Sequence, residues 1–330
     1  MLRFAVRRVL LAVLTLFAIS VAAFSLFFLG PADPAATMCG SKLCDPATHA
    51  RITHDLGLDQ PAINQYAAYM RGVFVGRTIG SGETAIDCPA PCLGVSFRTR
   101  EPVTQILARA FPVTISIVLG AAVVYLVVGV GLGMLSAIRR GSFIDRTAVG
   151  FSLSFASMQI YFLGLLLAYL LVWKTGLLPR PQYISPTESI TGWMGGMLLP
   201  WITLGLINSA IYARLARAQM LETLSEDFIR TARAKGLPIK RVYLKHAFRA
   251  AVTPLVTIAG LDLGTQLGGV VITETTFTMQ GAGRTAVLAV FQQNLPIIMA
   301  TVLLAAVIIV MMNVIVDMLY AVIDPRVRLS

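Results

Sequence analysis

The chain has 330 residues, 56% of them hydrophobic and 13% charged, against roughly 45–50% and about 25% in a soluble globular protein. A mean hydropathy of +0.76, with the apolar residues gathered into long runs rather than spread at helix or strand spacing, excludes an ordinary water-soluble domain. The net charge of +11 would suggest nucleic-acid binding in a soluble protein, but here the basic residues flank the apolar runs and report topology.

A bilayer core about 30 Å thick needs about 20 apolar residues in a helix rising about 1.5 Å per residue. Six runs meet that requirement: Val9 to Leu29, Val113 to Ile138, Thr147 to Trp173, Met194 to Ala213, Ala250 to Ile272 and Pro296 to Tyr320. They predict an all-α membrane protein with six transmembrane helices. Arg3, Arg7 and Arg8 precede the first run, giving it the outline of a secretory signal, yet it exceeds the apolar core of about 7–15 residues that such a signal carries. It reads as a retained helix.

A large loop at 30–112 follows and holds all four cysteines, Cys39, Cys44, Cys88 and Cys92. In an oxidising compartment disulfides form; Cys39–Cys44 and Cys88–Cys92 are the local pairs, and the connectivity stays open. His49 and His54 continue the five-residue spacing of Cys39 and Cys44, which leaves a zinc site as a second reading and free thiols as a third. Helical patterns near 48–56 and 61–75 predict an ordered loop, either a docking surface or a passive solvated cap.

Past the second span stand Arg139, Arg140 and Arg146, and between the fourth and fifth stand Arg214, Arg217, Arg230, Arg233, Lys235, Lys240, Arg241, Lys245 and Arg249. With Arg326 and Arg328 at the C-terminus, the excess of basic residues and the even span number predict both termini on the cytoplasmic side. Within that fourth-to-fifth connection Ser225 is the predicted N-cap of a short helix, with Glu226 and Asp227 in its first turn, Gly236 as its left-handed C′ residue, Leu237 as apolar companion and Pro238 as its stop. Phe228, Ile229 and Ala232 form an apolar face suited to a partner's groove. A basic helix resting on anionic lipid is the alternative.

Asp262 lies in the middle of the fifth span, where an ionised side chain costs roughly 2.5–3.5 kcal/mol. Asp262 and Gln266 one turn on are candidates for a translocation pathway or a subunit contact, and a satisfied hydrogen bond inside the chain is the plainer reading for Asp262. Glu274 joins them as a candidate; it and Asp317 stand near span ends, within reach of headgroups or water, and Asp317 has inside arginines to pair with. Gly264, Gly268 and Gly269 permit close helix contact, and Gln159 and Asn313 are candidate hydrogen-bonding groups between helices. No G-x-x-x-x-G-K-[ST] loop and no paired His/Glu helix motif is present, so no catalytic residue and no metal site is predicted.

The segment Asp227-Phe228-Ile229-Arg230-Thr231-Ala232-Arg233-Ala234-Lys235-Gly236-Leu237, followed by Lys245-His246 and Pro254, resembles the coupling loop of ABC importer permeases of the dipeptide/oligopeptide/nickel family. Further matches run along the chain: Arg7-Arg8, Asp33-Pro34, Leu56-Gly57-Leu58-Asp59-Gln60-Pro61 with Gln65-Tyr66, Phe111-Pro112-Val113-Thr114, Glu274-Thr275 with Phe277, Gly281-Ala282-Gly283-Arg284, and Asn313, Asp317, Tyr320 and Asp324-Pro325-Arg326. The chain departs from the pattern at Arg230, where permeases in general have glutamate, and at Gln280, where the family usually has proline.

The resemblance implies a type I ABC importer permease fold. Residues 1–29 would be the cytoplasmic end and first helix, 30–112 an extracytoplasmic loop region, and 113–330 a five-helix core with the coupling helix at about 225–236. Phe228, Ile229, Arg230, Thr231, Ala232, Arg233, Lys235, Gly236 and Leu237 would couple to ATPases. It further implies a bacterial inner membrane location, a second permease subunit, two cytoplasmic ATPases that bind ATP and Mg, and an extracytoplasmic substrate-binding protein. This chain would hold no cofactor and hydrolyse nothing itself. Di- or oligopeptides are the implied cargo, with nickel or another small solute as the alternative. An ion-coupled secondary transporter using Asp262 is the rival from another class; no inverted repeat or broken-helix signal supports it.

Overall fold

The computed structural model describes residues 2–28, 45–55, 59–80 and 85–323; Cys39, Cys44 and the motif residues Leu56-Gly57-Leu58 and Asp324-Pro325-Arg326 lie outside them. It divides into two units, one of Met1–Thr114 with Gln280–Val314 and one of Ile115–Met279 with Ile315–Ser330.

In the first unit, helix α1 (Leu2–Phe28) presents Leu10, Val13, Leu14 and Phe17 outward, as a helix in lipid should. Its far end is pinned by α3 (Ala62–Val75), which follows α2 (Pro46–Asp55). Ser20 Oγ and Tyr66 Oη are 2.7 Å apart, and the Phe24 ring meets Tyr66 edge-on at 5.3 Å. A two-stranded antiparallel hairpin, β1 (Arg77–Ile79) and β2 (Ile86–Cys88), comes next. Cys88 is bonded to Cys92, and both are fully buried.

Arg77 Cζ lies 5.6 Å from the Tyr69 ring centroid; burial pushes the Tyr69 hydroxyl up to about 12, with the Arg77 charge pulling the other way. The described part of the loop is therefore built from ordered elements. Its last part is tied to the chain's far end, where Asn294 donates to Ser96 Oγ at 2.8 Å and accepts from the Phe97 amide at 3.3 Å. Helix α4 runs Val103–Ile138. It starts ten residues before the predicted second span because Pro112 sits inside it without breaking it, as prolines in membrane helices often do.

The second unit corrects the third predicted span. In place of one helix there are two, α5 (Phe143–Ala156) and α6 (Ile160–Lys174), bent by 104°. Gln159 stands at the break as the extended residue before α6, not within a span. Then come α7 (Ile190–Ser225), α8 (Asp227–Ala234), α9 (Ile239–Leu267) and the short α10 (Val271–Thr276). The predicted fifth span is thus interrupted at Gly268–Val270, with Gly269 at φ +142°. Helices α11 (Ala282–Phe291) and α12 (Leu295–Ile323) are the last of the described residues' elements. Three stretches, Tyr125–Val130, Ala168–Lys174 and Val242–Ala247, are wound as π-helix.

Helices α4 and α7 approach closely. Gly129 and Gly133, four residues apart, leave no space for a side chain: a Cβ on Gly133 would lie 2.4 Å from the Ala213 carbonyl oxygen, and one on Gly129 would lie 2.8 Å from that of Ser209. Trp201 fills the corresponding space at Gly120, and its indole N–H donates to the Ser116 carbonyl at 2.7 Å. Small residues at helix contacts are how membrane proteins gain packing energy without a hydrophobic drive between helices.

Candidate functional site

Helix α8 begins one position later than predicted. Ser225 still belongs to α7, its hydroxyl turned back to the Glu222 carbonyl at 2.6 Å, a bond that keeps a serine inside a helix. Glu226 takes the extended N-cap position without a side-chain cap bond, and Asp227 accepts from Arg230 at 3.4 Å. The other end closes as predicted. The Gly236 amide donates to Arg233 at 2.9 Å and the Leu237 amide to Ala232 at 3.3 Å, the paired bonds of a Schellman motif, with Gly236 at φ +74°.

The predicted free apolar face is not free. Ile229 is fully buried and Ala232 nearly so; with half-buried Leu237 they pack against Met134 and Ala137 of α4, Ala216 and Met220 of α7, and Val242 and Ala247 at the start of α9. Phe228 remains 47% exposed, and Arg230, Thr231, Arg233 and Lys235 are exposed beside it. Arg233 Cζ lies 5.9 Å from the Tyr243 ring centroid. The helix is therefore clamped through one face to three long helices while it offers a basic, Phe-tipped face outward. A force on that outer face reaches α4, α7 and α9 directly, because close-packed interfaces transmit displacement rather than absorb it.

Beside the clamp lies a polar cluster that sequence reasoning missed. Arg217 of α7 grips Asp145 of α5 with both arms of its guanidinium, Nε to Oδ1 at 2.8 Å and a terminal nitrogen to Oδ2 at 3.0 Å. Ser136 Oγ also donates to Asp145 Oδ1, Arg217 Nε reaches Ser136 Oγ at 3.0 Å, and the Gly141 amide donates to Asp145 Oδ2 at 2.9 Å. The local signal was Ser142 three residues before Asp145, a helix-start pattern; Ser142 Oγ does accept from the Asp145 amide, at 3.4 Å. Its distant partner, Arg217, carried no local mark.

In the apolar middle of the second unit, Asp262 meets α7. Tyr212 donates its hydroxyl to Asp262 Oδ2 at 2.7 Å, and the Tyr212 ring stacks on Tyr125 of α4 at 4.8 Å. Tyr125 and Tyr212 are buried among Ala122 and Ala259, whereas Asp262 is half-buried. Gln266 lies one turn on along α9. Glu274 is not brought to these two: it stands on α10, beyond the break, and is fully buried, which corrects the expectation that it reaches water. Asp317 is half-buried, and Asn313 is exposed on this chain rather than sealed against its own helices. Among the described residues no cluster of His, Cys, Asp and Glu has the make-up of a metal site.

Residues 1–118 match the family described as binding-protein-dependent transport system membrane component, N-terminal, and residues 129–329 match the binding-protein-dependent transport system inner membrane component family. The dipeptide transport system permease protein DppB of Escherichia coli is 36% identical over 351 residues, covering 99% of each chain. The di/tripeptide transport system permease protein DppB of Pseudomonas aeruginosa is 35% identical over 348 residues, again covering 99% of each.

Proposed function

The chain belongs to the family of binding-protein-dependent transport system inner membrane components, the permeases of ABC transport systems, and from that premise we propose that it imports di- or oligopeptides as one of two membrane-spanning subunits. The relatives named above, similar over 99% of their length, support the peptide cargo. A second permease completes the pathway, an external binding protein delivers the peptide, and two cytoplasmic ATPases bind ATP and Mg. Both termini then lie in the cytoplasm, the side on which the basic residues collect. The ordered elements between α1 and α4 form the surface on which the binding protein docks.

The observation that carries the reading is the clamped helix α8. Its outer face of Phe228, Arg230, Thr231, Arg233 and Lys235 meets the ATPase, and its buried face of Ile229 and Ala232 passes the movement to α4, α7 and α9. ATP drives the cycle through differential binding to the two arrangements of the spans. Arg230 puts a positive charge where other permeases have an acid, so the ATPase surface facing it carries an acceptor.

Purifying the chain from its native membrane in mild detergent tests the assembly. Two ATPases and a homologous permease at stoichiometric yield are the expected partners; recovery of the chain alone after crosslinking would overturn the reading. Gly236→Val tests the coupling. No atom crowds a Cβ there, so the change acts only through φ +74°, a conformation that costs a β-branched residue about 1–2 kcal/mol. The complex is expected to assemble, with substrate-stimulated ATP turnover down several-fold; unchanged stimulation would remove α8 from the coupling path.

A further inference from the structure

We propose that the turn between α4 and α5 is a binding surface for anionic phospholipid, in which Arg139, Arg140 and Arg146 hold headgroup phosphates and Phe143 enters the headgroup boundary between them. The turn is short: α4 ends at Ile138 and α5 starts at Phe143. All three arginines are exposed, and none forms an ion pair or a side-chain hydrogen bond with the described residues. Asp145 is the one acid in the stretch 139–146, and it is turned inward, where Arg217, Ser136 and the Gly141 amide occupy its oxygens. The outer surface of this stretch therefore carries three cations and no anion.

Position and chemistry select lipid as the occupant. One apolar run ends at Ile138 and the next begins at Thr147, so the turn lies where two spans leave the hydrocarbon, in the headgroup layer. Along α5, Asp145, Ala148 and Ser152 are buried on one side, while Phe143, Arg146, Gly150 and Leu153 share the opposite side and are exposed. The outward side thus opens with an aromatic and a cation and goes on apolar, the pattern of a helix face that meets the membrane boundary. Guanidinium groups take phosphate oxygens in a two-armed grip. A phenyl ring 80% exposed beside them adds nothing for a phosphate free in solution, but it suits a phosphate that arrives with acyl chains.

The test uses the intact complex purified from its native membrane, placed in nanodiscs of phosphatidylcholine and phosphatidylglycerol in fixed proportion, with a trace of one lipid or the other carrying a photoactivatable group close to the glycerol. Crosslinked peptides are read by mass spectrometry, and marking of 139–153 is divided by marking of Leu14 and Phe17, uncharged outward residues of α1. The phosphatidylglycerol probe is expected to mark the turn about fivefold more than the phosphatidylcholine probe, the worth of a single arginine at an anionic surface. Salt at about 1 M, where the screening length falls to about 3 Å, is expected to erase most of that difference. Arg139→Gln with Arg140→Gln and Arg146→Gln erases it at low salt, whereas Arg139→Lys with Arg140→Lys and Arg146→Lys keeps most of it.

Equal marking by the two probes at low salt would overturn the proposal. So would a preference that survives both high salt and the loss of the arginines. Marking of the turn by neither probe, with Leu14 and Phe17 marked by both, would show that a protein subunit covers it and would overturn the lipid assignment as well. If the triple glutamine variant does not insert, the salt series on the unaltered chain decides between the same outcomes.

Discussion

Gly133→Val abolishes recovery of the folded chain, or lowers its melting midpoint in detergent by about 10 °C or more, whereas Gly131→Val on the same helix leaves both nearly unchanged. The contrast follows from what each new Cβ meets. At Gly133 it falls 2.4 Å from the Ala213 carbonyl oxygen and 2.7 Å from Ala216 Cβ; at Gly131 it meets nothing within 4 Å. A carbonyl in the middle of α7 cannot turn aside without giving up its own helix hydrogen bond, so the helices must part. Overpacking of a flexible core costs about 1–3 kcal/mol, and a collision with backbone exceeds that. Both valines carry the same propensity penalty in a helix, which makes Gly131 the control. Fluorescence-detected size exclusion and thermal melting give the readout; equal behaviour of the two variants would show that the α4–α7 contact is looser than the structure has it.

The second large effect is at Arg217. Arg217→Ala leaves Asp145, 8% exposed, with Ser136 and the Gly141 amide as its remaining donors, and a buried charge stripped of its ion pair is strongly destabilising. The expected result is a melting midpoint lower by about 5–10 °C, with transport lost ahead of folding because the cluster adjoins the packing that clamps α8. Arg217→Lys supplies charge without the two-armed fork and recovers only part of the midpoint. Asp145→Asn together with Arg217→Gln, which removes both charges, recovers more than either single change. Additive losses in that cycle would show that the two residues do not act as a pair.

What the sequence could show, and what it could not, divides by range. The spans were legible because lipid demands long apolar runs, and the end of α8 was legible because Gly236, Leu237 and Pro238 act within a turn. The bend between α5 and α6 was not, since Ser157-Met158-Gln159 contains neither proline nor glycine and the apolar run continues through it. The same limit hid the fate of Ile229 and Ala232. Periodicity identifies an apolar face but not whether it turns toward a partner or toward its own chain. Asp262 announced itself by its depth, yet its partner Tyr212 is 50 residues away and Arg217 is 72 residues from Asp145. Cys88 and Cys92, four residues apart, are one of the two local pairs that the sequence offers; the structure bonds them.

The π-wound stretch at Val242–Ala247 sets the helical phase of everything that follows it. Val242 and Ala247 both pack in the cluster that holds α8, although five residues in an α-helix would place them about 140° apart; the wide turn brings them to one side. From Ala247 the stripe continues in steps of four through Ala251 and Leu255 to Ala259, which packs with Tyr125 and Tyr212, and Asp262 follows it. A wide turn of this kind holds one residue more than its α-helical equivalent. Loss of a single residue, such as the exposed Leu244, would let the turn relax to α with its phase kept, whereas rewinding it as α with every residue in place would rotate the remainder of α9 by about 100°. Asp262 would swing off Tyr212 while every apolar residue of the span stayed in the membrane. The wide winding at the start of α9 thus keys the bearing of an acid five turns away, and hydropathy would register no change.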